Sequence, residues 1–294
     1  MKISIIGVGK LGGALAVALS MKGFEIENLL ARNSENAKKI AELVESKPKI
    51  IFENEFAEIS SGVILITTQD FEIENVAQKL KENLRHKPTV FHTSGSLSSD
   101  VLKNLKTIGC KVGSIHPLAS ISDASLGAER FADAYFCVEG DDEAVKVADQ
   151  IVERLGGKSF SVTAEYKTLY HASATVACGH LVALVDVAIE MLTECGIGEA
   201  HAQKILLPLI KSTVENLETQ STAQALTGTV ARADIKTLEN HLKTLEKNAS
   251  KEALEVYLQL AARSVHLAER QGANREKLRE ILEKIALAKK NLKC

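Results

Sequence analysis

The sequence predicts an α/β protein: an N-terminal domain built on a parallel sheet, followed by an all-helical domain. Three observations carry that expectation. Through residue 160, strand-like apolar runs alternate with helical patterns of ten to fifteen residues, the signature of parallel βαβ units. Beyond Val162 the strand signal stops and only helical periodicity remains. At the very start, the apolar run Lys2-Ile-Ser-Ile-Ile-Gly-Val-Gly-Lys-Leu-Gly12 leads through a glycine-rich turn into an Ala/Leu-rich helix.

In order, strands are expected at Lys2–Gly7, Glu25–Ala31, Gly62–Thr67, Thr89–Thr93, Lys111–His116, Ala134–Glu139 and Ser159–Val162. The helices between them are expected at Leu11–Lys22, Ser34–Ser46, Ile73–Leu84, Ser98–Ile108 and Asp142–Leu155. Gly156 and Gly157 suit a helix C-cap rather than a linker. Ala164–Cys195 reads as one long helix, apolar on most faces and therefore expected to be buried. Glu199–Gln220, Asp234–Lys247, Lys251–Gln271 and Arg275–Leu292 complete the helical part. The domains are expected at 1–160 and 161–294.

The glycine loop carries the first chemistry. In Gly7-x-Gly9-x-x-Gly12 the first glycine makes the tight turn and the second admits a pyrophosphate. The third lets helix and strand pack closely. Gly7, Val8, Gly9, Lys10, Leu11 and Gly12 are therefore expected to cradle a dinucleotide at the helix N-terminus, where free N–H groups and the dipole favour anions. The alternative is a turn that binds nothing.

The second strand ends Leu30-Ala31-Arg32-Asn33-Ser34, with no carboxylate to hold a ribose 2′-OH. Arg32 instead offers bidentate geometry to a 2′-phosphate, with Asn33 and Ser34 adding hydrogen bonds, so NADP is expected over NAD. Other strand ends, Thr67-Thr68-Gln69-Asp70 and His92-Thr93-Ser94-Gly95-Ser96, carry small polar residues where ligands sit in such sheets. Thr67, Thr68, Gln69, Ser94 and Gly95 are expected to contact cofactor, and Ser94 substrate as well. Ordinary turn chemistry is the alternative for each.

Hydride chemistry also needs a group to supply or remove a proton. His116, before Pro117 at another strand end, should face the same crevice. Lys167 and His171 lie four apart and share a helix face. His180 falls on nearly the opposite face and is expected to be structural or interfacial. No histidine pair has zinc spacing, so no metal is expected. In Thr227–Asp234, Arg232 suits a substrate carboxylate; equally it pairs with Asp234, which would cap the next helix.

Several segments together resemble a known group: Gly7–Gly12, His92-Thr-Ser-Gly95, Gly113-Ser-Ile-His-Pro117, Lys167-Thr-Leu-Tyr-His-Ala172 and Leu226-Thr-Gly-Thr-Val-Ala-Arg-Ala-Asp234. The chain is similar to Rossmann-like proteins with a C-terminal domain of unknown function, DUF2520. These are distant relatives of 6-phosphogluconate dehydrogenase, pyrroline-5-carboxylate reductase and ketopantoate reductase. The resemblance implies an NADP-binding domain followed by a helical domain that builds a dimer. In the wider β-hydroxyacid dehydrogenase group a Lys-x-x-x-Asn motif supplies the proton donor, and Lys167-x-x-x-His171 is similar, with His in place of Asn. Gly179 stands where such sequences often carry Asn, and Thr229 where Leu-Thr-Gly-Pro has its proline.

The expected function is NADP-dependent hydride transfer to or from a small carboxylated 2-oxo, 3-hydroxy or imino acid, between the two domains. Ketopantoate reduction is the leading substrate reading and pyrroline-5-carboxylate reduction the next. The competing class is a non-catalytic NADP(H)-binding regulator or scaffold dimer. Composition narrows the field further. A net charge of −2 gives no nucleic-acid footprint, and 45% hydrophobic with 25% charged residues is ordinary for a globular protein. Five cysteines without a CxxC pair fit reduced thiols and a cytoplasmic setting. The apolar run 172–185 reads as too short for a bilayer, and a homodimer is the expected assembly.

Overall fold

The computed structural model describes residues 1–31 and 34–292, and resolves two compact units, Met1–Cys178 and Gly179–Cys294. The first is an eight-stranded sheet with helices on both faces. Its strands are β1 (Lys2–Ile6), β2 (Glu25–Leu30), β3 (Lys49–Ile51), β4 (Val63–Ile66), β5 (Thr89–His92), β6 (Lys111–Pro117), β7 (Tyr135–Gly140) and β8 (Lys158–Phe160). They lie in the order β3-β2-β1-β4-β5-β6-β7-β8. Every pairing is parallel except β6 with β7. The seven expected strands are all present. Lys49–Ile51 was not anticipated, because three residues directly after Pro48 carry no readable period.

The helices of this unit are α1 (Lys10–Met21), α2 (Ser34–Glu42), α3 (Asp70–Asn83), the short α4 (Lys103–Lys106), α5 (Asp142–Leu155) and α6 (Lys167–Ala177). Small residues let α1 sit centrally, with every side chain from Gly12 to Ser20 buried. One sheet face packs on α1 and α5 through Ile3, Ile5, Phe91, Ile115, Phe136 and Val138. The opposite face packs on α3 and α4 through Ile64, Ile66, Val90 and Val112. Gly156 caps α5 in the left-handed conformation at φ 85°, as expected of a glycine there.

The second unit holds α7 (Gly179–Glu194), α8 (Glu199–Thr219), the short α9 (Thr222–Ala225), α10 (Ile235–Asn248), α11 (Lys251–Arg270) and α12 (Arg275–Asn291). Its core joins α10, α11 and α12 through Leu238, Leu242, Leu254, Leu258, Val265, Leu278, Ile281 and Ile285. Side chains of Asp234, Ser250 and Asn274 accept the N-cap hydrogen bonds of those helices in turn. The capping role foreseen for Asp234 is therefore observed.

Two expectations for Ala164–Cys195 are corrected. The helix is interrupted at Cys178, where ψ swings to −77°, giving α6 and α7 rather than one element. It is also not buried: α7 has no buried residue, and Leu181, Val182 and Leu184 are exposed. Apolar length predicted a core position, yet α7 packs on α8 and α11 and leaves those three side chains exposed. The helical stretch 164–194 also exceeds the run judged too short for a bilayer. It runs for 31 residues and contains an 18-residue window of mean hydropathy 1.8, so by length and composition it could cross a membrane, a test that the core helix of a soluble protein also passes.

Candidate functional site

The carboxyl ends of β1, β4, β5 and β6 open on one edge of the first unit, where Gly7–Gly12, Thr67, Thr68, Gln69, Ser94, Gly95 and His116 lie. Gly7 turns the chain at φ 104°, a conformation that favours glycine. A side chain at Gly7 would lie 2.8 Å from the Thr68 amide, and one at Gly12 would collide with the Gly7 carbonyl and Thr67 Oγ1. A side chain at Gly9 would meet nothing, so backbone and open space face each other here. Gly9 begins α1 without a side-chain cap, and no acidic residue occupies the first turn. First-turn N–H groups facing open space, with no competing carboxylate, fit a pyrophosphate. Thr67 Oγ1 donates to the Gly7 carbonyl at 2.6 Å, and Asn36 Nδ2 to the Val8 carbonyl at 2.8 Å, fixing the loop from both sides. Thr68 Oγ1 is buried with no hydrogen-bond partner among the described residues. Arg32 and Asn33, assigned to the 2′-phosphate, lie outside the described residues, as does the side chain of Ser34. Gln69 is exposed at the mouth of α3, while Lys10 is exposed and Leu11 half-buried at the start of α1.

Next to this loop lies a polar cluster whose geometry follows from strand register. Antiparallel pairing sets Ser114 opposite Glu139 and His116 opposite Cys137, while parallel pairing sets His92 beside Ser114. Residues two apart share a face. All five therefore point to one side of the sheet, and α6 covers them with Lys167, Tyr170 and His171, spaced for one helix face. Lys167 is fully buried; its Nζ donates to Ser114 Oγ at 2.9 Å and lies 3.8 Å from Glu139 Oε1. Glu139 also accepts the Ser99 N–H and hydroxyl, both at 2.8 Å. Burial lowers the Lys167 pKa, against the opposing pull of Cys137 and Glu139.

The histidines stand on the outer side of that lysine. His116 Nδ1 lies 2.6 Å from the Tyr170 hydroxyl, and its ring meets the His171 ring edge-on at 5.5 Å. Burial, then His171 and Lys167, depress the His116 pKa to about 4, so the ring is neutral near pH 7. His171 Nδ1 is buried without a hydrogen-bond partner among the described residues. Gly95 is what admits both rings: a side chain there would sit 2.5 Å from His171 Nδ1 and 2.7 Å from His116 Nε2. Ser94 is turned inward, its Oγ donating to Asp70 at 2.7 Å and accepting from the Ser96 and Leu97 amides. It shapes the Gly95 loop rather than offering its hydroxyl outward. His180 is exposed on α7, and Arg232 is exposed in the second unit before the α10 cap. No group of metal-ligating side chains occurs among the described residues.

Residues 1–117 match the model of a Rossmann-like domain, and residues 134–264 match the domain of unknown function DUF2520. The two matches follow one another along the chain. Among solved structures, protein TM1727 from Thermotoga maritima is 26% identical over 92% of this chain and 99% of its own, with a TM-score of 0.71. A candidate NADP oxidoreductase from Bacteroides fragilis is 23% identical over 90% of this chain and 97% of its own, TM-score 0.72. The pyrroline carboxylate reductase of Plasmodium falciparum, solved with NADP bound, is 14% identical over 96% and 97%, TM-score 0.60. The latter two show that the fold is shared. No curated protein matches the chain in sequence.

Sequence reasoning missed Tyr170, Glu139, Ser99, Ser114 and Asn36. Tyr170 stands inside the Lys167-x-x-Tyr-His motif at helix spacing from Lys167, so one signal was present. Glu139 and Ser114 become neighbours only through the reversed direction of β7, which strand periodicity does not encode.

Proposed function

We propose that the protein is an NADP(H)-dependent oxidoreductase, transferring hydride to or from a small carboxylated 2-oxo, 3-hydroxy or imino acid. One observation carries this reading: a glycine cradle open to a pyrophosphate shares a sheet edge with a cluster of proton-handling groups, Lys167, His116 and His171. Such a cluster is a poor structural device. Buried polar groups cost stability unless satisfied, and perturbed titratable groups gather where chemistry is done. A bound reduced nicotinamide supplies hydride to a carbonyl or imine carbon, and the heteroatom then needs one proton. Arg32 answers a 2′-phosphate, which favours NADP over NAD, and the exposed Arg232 suits a substrate carboxylate. The cellular setting is cytoplasmic and the assembly a homodimer, with the bare apolar face of α7 covered by a second copy.

A ketopantoate-type 2-oxo acid and a pyrroline-5-carboxylate-type cyclic imine are the first substrates to test; neighbours named as pyrroline carboxylate reductases support the imine. Purified protein should oxidise NADPH with a member of such a panel and be stabilised by NADPH in thermal melts, by about 2.7 kcal/mol at a hundredfold excess over Kd. Stabilisation without turnover on any member would favour the regulator or scaffold class.

A further inference from the structure

We propose that Tyr170 is a positioning residue that fixes the tautomer of His116, so that His116 presents an N–H at Nε2 to the substrate. The inference rests on the hydride-transfer reading and assigns the hydrogen-bond donor to the substrate heteroatom within it.

Three features place Tyr170 in this role. Its hydroxyl is 2.6 Å from His116 Nδ1, a short contact between a phenol and an imidazole. Its ring is braced edge-on against His116 at 5.6 Å and Phe160 at 5.7 Å, so the hydroxyl is aimed by packing rather than by its own rotamer preference. Burial, with the neighbouring Cys137, pushes the Tyr170 pKa up, which keeps the phenol protonated and able to donate. A neutral imidazole that accepts at Nδ1 must carry its hydrogen at Nε2. Nε2 has no hydrogen-bond partner among the described residues, and it faces the glycine loop at Gly95.

Lys167 is unsuited to that presentation. It is one turn behind, fully buried, and held by Ser114 and Glu139. It acts on the floor of the site, clamping β6 to β7 beneath His116.

The arriving hydride brings an electron pair to the substrate carbon, and the π pair moves onto the heteroatom. His116 Nε2–H donates a hydrogen bond to that atom as its charge develops, while Tyr170 keeps its own proton and holds Nδ1. The proton that the heteroatom takes comes from solvent, so one reduced nicotinamide and one solvent proton are consumed.

The test is nitrogen-15 NMR of the imidazoles together with NADPH turnover, in the full-length wild type and in Tyr170→Phe, which keeps the packed ring and removes the hydroxyl. Wild-type His116 should show the Nε2–H tautomer at pH 7. In Tyr170→Phe that preference should be lost, and kcat should fall about tenfold or more while KM for NADPH holds. An Nδ1–H tautomer in the wild type overturns the inference, and this measurement stands even if the variant folds poorly. So does a folded Tyr170→Phe with unchanged tautomer and kcat. The expected tautomer with no NADPH oxidation on any substrate overturns instead the hydride-transfer reading and, with it, the catalytic consequence of the tautomer.

Discussion

Gly95 is the residue on which the histidine pair depends. Its backbone is outside the positive-φ set, so alanine strains nothing there and the effect of a substitution is confined to the rings it touches. A methyl group 2.5 Å from His171 Nδ1 and 2.7 Å from His116 Nε2 is closer than van der Waals contact allows, and one imidazole must leave. Gly95→Ala should therefore lower kcat for NADPH oxidation about tenfold or more, with a much smaller change in the melting temperature. Steady-state kinetics beside a thermal melt checks this, and an unchanged kcat would separate Gly95 from the chemistry. Sequence reading reached Gly95, His116 and His171 one by one, from strand ends and helix spacing. That a missing side chain in one makes room for the other two is information only the folded chain holds.

Among the elements, α1 was legible almost to the residue, because its glycines, its Ala/Leu run and the strand before it all point the same way. The breaks in α6–α7 were not legible. No proline or glycine pattern distinguishes Cys178 as an interruption, since Gly179 follows it inside an otherwise unbroken apolar run. Burial of α7 was misjudged for a related reason: an apolar helix reads alike whether its cover is its own chain or another. With Leu181, Val182 and Leu184 on α7 exposed beside Ile205 and Leu209 on α8, the face is larger than a lone surface leucine explains. Val182, at 69% exposure, contributes little to the unit's own core. Val182→Glu should leave the melting of a monomer nearly untouched and shift the solution mass from dimer to monomer, measured by light scattering across concentration. A wild type that is monomeric throughout would remove the homodimer.

For the whole molecule, the two depressed histidines give folding a defined pH response. Burial is the main cause for both His92 and His116, each held at about 4 against an ordinary 6.5. Between those values the unfolded chain binds more protons than the folded one, so stability present above about pH 6.5 is lost as pH falls towards 4. For the fully buried His92 the loss is about 3 kcal/mol. In His92→Asn, whose amide oxygen can still accept the Ser94 N–H, denaturant midpoints should fall about half as much between pH 6.5 and 4 as in the wild type. An identical pH slope would mean that His92 titrates in the fold as it does in solution.

The reversed strand β7 has a consequence of another kind. Glu139 faces Lys167 only because β7 pairs with β6 in one register, Ser114 to Glu139 and His116 to Cys137. A slip of one residue would turn Glu139 outward and set an apolar neighbour, Val138, beneath a buried ammonium. Removing one partner of such a pair costs about 3–5 kcal/mol. A misaligned sheet thus carries its own penalty, set at a single buried lysine.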